Sequence, residues 1–202
     1  MAERLDIHPD NPQPRFIQQA LKILQGGGLI IYPTDTVYGL GCDLCNKRAL
    51  QRIYQIKGSD KRKLLSFICP DLKEIARYAH VSNPAYKLMR HYTPGPYTFI
   101  LEASREVPKI LLEKRRTVGI RVPNNAVCQC LLKELGTPII STSACLPGQE
   151  YISDPEVLWD LFYHHIDLFL DSGIGGTVPS TILDLTGDTP VVHREGKGKA
   201  DY

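Results

Sequence analysis

The chain has 202 residues, with 24 Lys and Arg against 22 Asp and Glu and a formal net charge of +2. A chain of this length predicts a single domain, residues 1–202, that buries a core without disulfides or a structural metal. Hydrophobic residues make up 43% and charged residues 23%, which excludes a disordered chain. The net charge does not by itself indicate a nucleic-acid binder, but it leaves room for a local basic site.

The first residues contain no apolar run and no small-residue cleavage pattern, so no signal peptide is predicted. No apolar stretch approaches the roughly 18 residues of a membrane-spanning helix. The six cysteines, without an export signal, indicate reduced thiols and a cytoplasmic protein. Cys42 and Cys45 have the spacing of half a zinc or redox site, but no second pair with that spacing follows, which favours buried thiols and no metal.

Helix and strand patterns alternate along the chain. Asn11 and Pro12 resemble a helix start, and the helix that follows is expected to stop at Gly26. Further helices are predicted over residues 46–58, 71–78, 83–91, 126–135 and 155–163. Strands are predicted over residues 29–32, 64–68, 97–101, 117–122, 138–140, 167–170, 180–184 and 190–194. This interleaving predicts an α/β layer fold, with residues 197–202 as a flexible tail.

Polar residues gather where short strands end, which is where ligands bind in open α/β sheets. The predicted strand at Ile139 is followed by three successive hydroxyl residues, 141–143, and two more hydroxyl residues stand at 180–181. Residues 32–41 (YPTDTVYGLG) place small polar residues between a strand and two glycines. This segment is either a ligand loop or a strand–turn–strand connection whose side chains bond their own backbone, and both interpretations stay open.

Positive charge is concentrated in residues 57–63 and 105–116, each with a net charge of +3. Such runs are usually solvated surfaces, but Lys57 at a predicted helix end is placed to reach a phosphate. Arg121 lies inside an apolar strand and needs solvent or a partner, because burying an unpaired charge is costly. No base is adjacent to Ser141 or Ser143, so the hydroxyls and cations favour recognition of phosphate and carboxylate.

Together these motifs closely resemble the YrdC-like family, the threonylcarbamoyl-AMP synthases. The matching segments, in the family's order over about residues 15–196, are GGLIIYPTDTVYGLG (27–41), IYQIKG (53–58), TPGP (93–96), TVGIRVP (117–123), STSA (141–144), PSTI (179–182) and HREG (193–196). The resemblance implies a single domain with a twisted mixed sheet and flanking helices, the YrdC-like (double-stranded-RNA-binding-like) fold. It also implies a positively charged concave surface.

The resemblance implies a nucleotidyltransferase that condenses ATP, L-threonine and bicarbonate into threonylcarbamoyl-adenylate and releases pyrophosphate, with Mg²⁺ accompanying the ATP. The product supplies the t6A modification at adenosine 37 of tRNA. Positioning and charge neutralisation supply most of such catalysis.

The family's site residues carry over one at a time. Thr36, Arg121 and Ser141 match threonine contacts, with Arg121 clamping the carboxylate. The implied nucleotide contacts are Lys57, Thr117, Ser143 and Arg194. Lys57, at the phosphates, and Ser143 are the catalytic candidates.

Several positions depart from the family's pattern. Ser59 and Asp60 follow Lys57 where the synthases have Arg and Pro, Ile68 replaces a His, and Cys145 replaces an Asn. Losing one preorganised donor costs roughly 10²–10³ in rate, so a reduced synthase activity is expected. These departures resemble the YciO-type branch of the family.

Two alternatives follow. In the first, the protein is a paralogue that binds or hydrolyses threonylcarbamoyl-adenylate in a retained pocket. In the second, it is a tRNA- or double-stranded-RNA-binding factor without catalysis, whose phosphate contacts would dominate affinity. The RNA candidates are Lys61, Arg62, Lys63, Arg115 and Arg116.

Overall fold

The computed structural model of the chain describes residues 2–58, 65–112 and 116–200, the side chain of Ile110 excepted. Its helices are α1 (Pro14–Gln25), α2 (Lys47–Ile56), α3 (Leu72–Tyr78), α4 (Asn83–Tyr92), α5 (Ala126–Leu135) and α6 (Pro155–Phe162), with a 3-10 turn at Lys109–Leu111. Its strands are β1 (Glu3–Asp6), β2 (Ile30–Tyr32), β3 (Gly39–Asp43), β4 (Ser66–Ile68), β5 (Ala79–His80), β6 (Tyr97–Ala103), β7 (Thr117–Arg121), β8 (Ile139–Ser143), β9 (Leu168–Asp171), β10 (Thr181–Asp184) and β11 (Val191–Arg194). None of the described helices is both long and apolar enough to cross a membrane.

The strands form one mixed sheet in the order β1-β9-β2-β3-β8-β4-β7-β6-β10-β11, and β5 pairs with β6. Neighbours are parallel at β1/β9, β9/β2, β4/β7 and β6/β10. The other pairs are antiparallel. The expected α/β fold with a mixed sheet and flanking helices is therefore confirmed.

Successive residues of the central strands point to opposite faces of the sheet. In β7, Val118 and Ile120 belong to the larger core cluster, which also contains apolar residues of α2, α3, α4 and α6. A second cluster lies on the other face, where α1 and α5 cover the end of the sheet that contains β2 and β9. The remainder of that second face has no helix of the described chain upon it, and it carries Gly119 and Arg121.

Local signals fix several helix ends. Asn46 Oδ1 accepts the N–H of Ala49 at 3.0 Å and caps α2, and Asn125 caps α5 in the same way through Cys128. Gly136 ends α5 with a left-handed φ of 71°, a conformation that costs glycine little. These boundaries confirm the predicted ones.

The start of α1 differs from the prediction. Gln13 is the cap residue and Pro14 the first helical residue, two positions after the expected Asn11–Pro12 start. The reason lies in His8, whose Nδ1 accepts the backbone N–H groups of Asp10 and Asn11 and holds these residues in a separate turn.

The edge strand β1 was not predicted. It pairs in parallel with β9, and Arg4 within it donates to Asp171 at 2.6 Å and to Glu156. Its sequence, Glu-Arg-Leu-Asp, has no apolar alternation, so only long-range pairing reveals the strand. Strand β3 follows the segment that was open to two interpretations, and β2, the turn and β3 form an antiparallel pair.

Residues 197–200 pack against the domain and are not a free tail over that range. Thr181 Oγ1 donates to Gly198 O at 2.5 Å, and Tyr97 OH donates to Lys199 O at 2.7 Å. Ala200 packs against the larger core cluster.

Candidate active site

An open cleft occupies the part of the second sheet face that α1 and α5 leave uncovered. Its floor is built from small residues on five neighbouring strands: Gly39, Ser66, Thr98, Gly119 and Ser141. The sheet register aligns them, since Ser66 faces both Gly119 of β7 and Ser141 of β8. Small side chains leave an empty volume of about 740 Å³ above the sheet, open mouth included. The small side chains of the floor therefore leave the space above the sheet open to a ligand.

The loop between β2 and β3 forms one wall of the cleft and is pinned to the segment after β9. Tyr38 OH donates to Gly173 O at 2.7 Å and accepts the N–H of Ser172 at 3.0 Å. Gly176 lies so close to the backbone oxygen of Thr36 that a Cβ there would overlap it. Glycine at this position allows the two segments to meet.

Tyr32 lies on the same face of the sheet as the cleft and packs against the edge of its floor. Its ring passes next to Gly39 and Gly41, where an added Cβ would lie about 3 Å from ring carbons. Its hydroxyl then donates to Ser141 Oγ at 2.7 Å. Burial raises the pKa of Tyr32, so this hydroxyl stays protonated and remains a donor.

Replacing Tyr32 with Phe should lower the free energy of unfolding by about 1–2 kcal/mol, because Ser141 Oγ, itself buried, loses a hydrogen bond. Urea unfolding followed by circular dichroism measures the change. Tyr163→Phe, at an exposed tyrosine, is the control and should differ from the natural protein by less than about 0.5 kcal/mol. Equal stability of both variants would contradict the role assigned to the Tyr32 hydroxyl.

The hydroxyl of Thr36 keeps free lone pairs towards the cleft. Thr34 Oγ1 donates its one proton to Val37 O at 2.7 Å. The 3.1 Å contact between Thr34 Oγ1 and Thr36 Oγ1 is therefore donated by Thr36. The segment is thus a strand–turn–strand connection whose side chains bond their own backbone. It also lines the cleft, and its role as a ligand loop stays a prediction.

Arg121 lies at the cleft with one edge of its guanidinium paired to Asp35. Arg121 Nη2 donates to Asp35 Oδ1, and the two side chains are only 8% and 11% exposed. Arg121 Nε and Asp35 Oδ2 are buried and have no hydrogen-bond partner among the described residues. Unpaired buried polar atoms cost roughly 1–3 kcal/mol each, so this arrangement is not optimised for stability. It presents to the cleft a planar cation held by an acid, and such a cation is suited to binding a carboxylate.

Arg194 lines the opposite side of the same cleft and bonds only to neutral acceptors within the described chain. Its Nε and Nη2 donate to Ser180 O at 3.1 and 2.8 Å, and Nη1 is 3.5 Å from Tyr151 OH. Its charge is therefore not compensated by an acid of the described residues, which favours an anionic ligand here.

Lys57 lies behind the end of β8 and not among the described lining residues of the cleft. Its buried Nζ donates to Cys145 O at 2.5 Å and to Ser143 O at 3.2 Å, and it is 3.5 Å from Cys145 Sγ. Ser143 Oγ faces the cleft and is 3.3 Å from the same sulfur. Lys57 thus fixes the backbone that carries Ser143, and its expected contact with the phosphates stays a prediction.

The structure brings most of the predicted site residues together. Thr36, Arg121, Ser141, Ser143 and Arg194 all line the cleft. Thr117 does not: it lies on the same strand face as Arg121 but four residues away, about 13 Å along β7.

Most of the RNA candidates are not among the residues that the structure describes. Lys61, Arg62, Lys63 and Arg115 lie outside the described residues, as does Ser59. Arg116 is exposed before β7, and its carbonyl accepts the N–H of Ala103. RNA binding stays a prediction.

Sequence reasoning did not assign Asp35, Tyr151, Thr98 or Ser66 to the site. Asp35 is separated by 86 positions from its partner Arg121, so no local pattern joins them. Thr98 and Ser66 are polar residues inside otherwise apolar strands, and that contrast is the signal that marks a floor residue. Ile68, at the position where the synthases carry a His, lines the cleft with an apolar side chain.

The cysteines differ sharply in exposure. Cys42, Cys69, Cys128 and Cys145 are buried, Cys130 is partly buried and Cys45 is exposed. Burial raises the pKa of the Cys42 thiol to about 12 and raises those of Cys69 and Cys128 further. Among the described residues, no group of three His, Cys, Asp or Glu side chains is arranged to hold a metal ion.

A thiol reagent at pH 8 should therefore modify native Cys45 first and Cys130 second, because only the thiolate reacts and both groups reach solvent. Cys42, Cys69 and Cys128 should react only after unfolding in urea. Mass spectrometry of peptides alkylated for increasing times gives the order. Rapid modification of Cys128 in the folded protein would contradict the assignment.

Comparison with known proteins gives consistent matches. The Sua5/YciO/YrdC family model, described as "Telomere recombination", matches residues 22–196. The crystal structure of E. coli YciO superposes with a TM-score of 0.95 at 48% identity, covering 98% of each chain. P. abyssi Sua5 in complex with L-threonine gives a TM-score of 0.90 at 28% identity over 96% of this chain and 58% of that one. The threonylcarbamoyl-AMP synthase of Chromobacterium violaceum is 36% identical over 88% of this chain and 92% of its own length.

Proposed function

The chain belongs to the Sua5/YciO/YrdC family, and from that membership we propose that its cleft binds L-threonine and ATP and forms threonylcarbamoyl-AMP. In this reaction the threonine amino group is carboxylated by bicarbonate, with loss of water. The resulting carbamate oxygen then attacks the α-phosphorus of ATP, and pyrophosphate leaves. The product would serve the t6A modification of tRNA.

One observation carries the proposal: Arg121, Thr36 and Ser141 line the same cleft as Ser143 and Arg194. A guanidinium suits a carboxylate, and the two hydroxyls suit the amino and hydroxyl groups of threonine. The relative P. abyssi Sua5 was crystallised with L-threonine, which supports threonine as the amino acid.

The nucleotide is assigned to the Arg194 side of the cleft. Arg194 has no acid partner among the described residues that would neutralise it, so a phosphate or another anionic group would gain a full charge-assisted bond there. Ser143 supplies a neutral hydroxyl to the same cleft. Mg²⁺ is proposed to enter with the phosphates of ATP, as part of the substrate.

Lys57 is proposed to act through the backbone. Its ammonium holds the carbonyls of Ser143 and Cys145, so it positions the Ser143 hydroxyl in the cleft. This assignment fits a residue that is 6% exposed and absent from the lining.

The test is pyrophosphate release by the pure protein with MgATP, bicarbonate and L-threonine. Release that depends on threonine, together with a threonylcarbamoyl-AMP mass in the products, is expected. L-Valine in place of L-threonine is the control, because it keeps the shape but lacks the hydroxyl. No threonine-dependent release above the blank would overturn the synthase proposal.

The apolar Ile68 in the cleft favours a second candidate, in which the protein binds or hydrolyses threonylcarbamoyl-AMP instead of making it. The synthases carry a His at this position, and Cys145 likewise replaces an Asn beside Ser143. Synthesised threonylcarbamoyl-AMP should then decay faster with the protein than without it. Ile68→His should shift the balance towards synthesis. Decay at the uncatalysed rate with both proteins would exclude hydrolysis.

A further inference from the structure

Residues 195–199, which we call the strap, follow β11 along one rim of the cleft. Gly196 N donates to Thr181 Oγ1 at 3.0 Å, and Lys197 N donates to Pro179 O at 2.8 Å. A Cβ at Gly196 would overlap the backbone of residues 179–180, and one at Gly198 would overlap the ring of Tyr97. The backbone of the strap is therefore fixed on both sides of Lys197, whose side chain projects from it.

The side chain of Lys197 reaches across to the opposite wall. Its Nζ donates to the backbone oxygen of Asp35 at 2.6 Å. Thr34 and Thr36, on either side of Asp35, both line the cleft, and so does Arg194, three residues before Lys197. The ammonium therefore lies beside two lining residues of the cleft, Thr34 and Thr36, although Lys197 is not itself among the residues that line it.

Lys197 differs from the two arginines of the cleft in the partners that its charged group already has. Arg121 is charge-paired with Asp35, and Arg194 uses its guanidinium on Ser180 and Tyr151. Lys197 is exposed and has three N–H donors, of which the structure commits one, to a neutral carbonyl. A triphosphate ligand carries more negative charge than Arg194 alone can neutralise. A phosphate is also a stronger acceptor than a carbonyl.

We propose that Lys197 is a phosphate-binding residue of the cleft, which exchanges the carbonyl of Asp35 for the β- and γ-phosphates of bound ATP. The strap supplies a fixed base and the side chain alone moves. This inference rests on the proposed function, since it takes ATP as the ligand.

Isothermal titration calorimetry with ATP, AMP and L-threonine tests it on the natural protein and on Lys197→Met, Lys197→Arg and Lys199→Met. Lys197→Met should weaken ATP binding about tenfold, the loss of one charge-assisted bond. AMP and threonine binding should stay unchanged. Lys197→Arg should recover part of the ATP affinity. Lys199, an exposed lysine on the same strap, is the matched control, and its variant should bind ATP like the natural protein.

Three outcomes would overturn the inference. An unchanged ATP affinity in Lys197→Met would show that Lys197 makes no contact with the phosphates. An equal loss in Lys199→Met assigns the effect to general charge. A parallel loss of threonine affinity in Lys197→Met shows that the lysine merely shapes the loop at Thr36. If the natural protein binds no ATP at all, the proposed function itself fails, which the same titrations show separately.

Discussion

Replacing Arg121 with Met is expected to reduce threonine-dependent pyrophosphate release by about 10²–10³-fold in kcat/KM. The variant removes the cation proposed to pair with the threonine carboxylate, and truncating one partner of a buried charge pair costs roughly 2–5 kcal/mol. The guanidinium is the one cation that both lines the threonine end of the cleft and is held there by an acid within the described chain. The effect should fall mainly on threonine binding and should leave AMP binding intact. Calorimetry with threonine and with AMP measures the two affinities separately.

The same substitution should also destabilise the fold, and a second variant separates fold from function. Met at position 121 leaves the Asp35 carboxylate buried without its cation, which costs roughly 3–5 kcal/mol in such sites. The double variant Asp35→Asn, Arg121→Met removes both charges and should regain most of the unfolding free energy while remaining unable to bind threonine. A double variant that binds threonine like the natural protein would show that Arg121 is a structural residue only.

Gly176→Ala is expected to lower the free energy of unfolding by about 1–3 kcal/mol, the usual cost of overpacking. It should weaken threonine binding at least about tenfold, which corresponds to about 1.4 kcal/mol. Its Cβ would overlap the backbone oxygen of Thr36, and a backbone atom cannot rotate away as a side chain can. The loop must then move, and the Thr36 hydroxyl moves with it.

Gly187→Ala is the control for this substitution, since its nearest atom, Thr189 O, would lie 4.0 Å from the new Cβ. Urea unfolding and threonine titrations on both variants provide the comparison. If Gly176→Ala and Gly187→Ala are indistinguishable, contact between the two segments does not position Thr36.

The fold was predictable where its signals are local. Helix α5 matches its predicted range at both ends because Asn125 and Gly136 act within one helical turn. Strand β1 was missed because its stability comes from pairing with β9, more than 160 residues later, and not from its own sequence. The start of α1 was misplaced because Pro12 was taken as the first helical residue, whereas Pro14 is, and the His8 side chain holds residues 10 and 11 in a separate turn.

The candidate site was likewise predictable where a local motif marks a residue, and not where a long-range contact positions it. Motif resemblance identified Thr36, Arg121, Ser141, Ser143 and Arg194, and all five line one cleft. The resemblance assigned Lys57 to the phosphates, which stays a prediction, but it gave no sign that the ammonium also donates to the carbonyls of Ser143 and Cys145. The Asp35 and Lys197 contacts join residues 86 and 162 positions apart. Such contacts depend on the folded backbone, which no motif specifies.

The bare floor of the cleft has a thermodynamic consequence. Gly39, Ser66, Gly119 and Ser141 carry little apolar surface of their own, so this part of the second sheet face buries less apolar surface than the part beneath α1 and α5. A bound ligand acts as the missing layer and stabilises the folded state by about 2.7 kcal/mol at a concentration of 100 times its Kd. The midpoint of unfolding is then a property of the protein together with its substrates, and it should rise and fall with their supply in the cell.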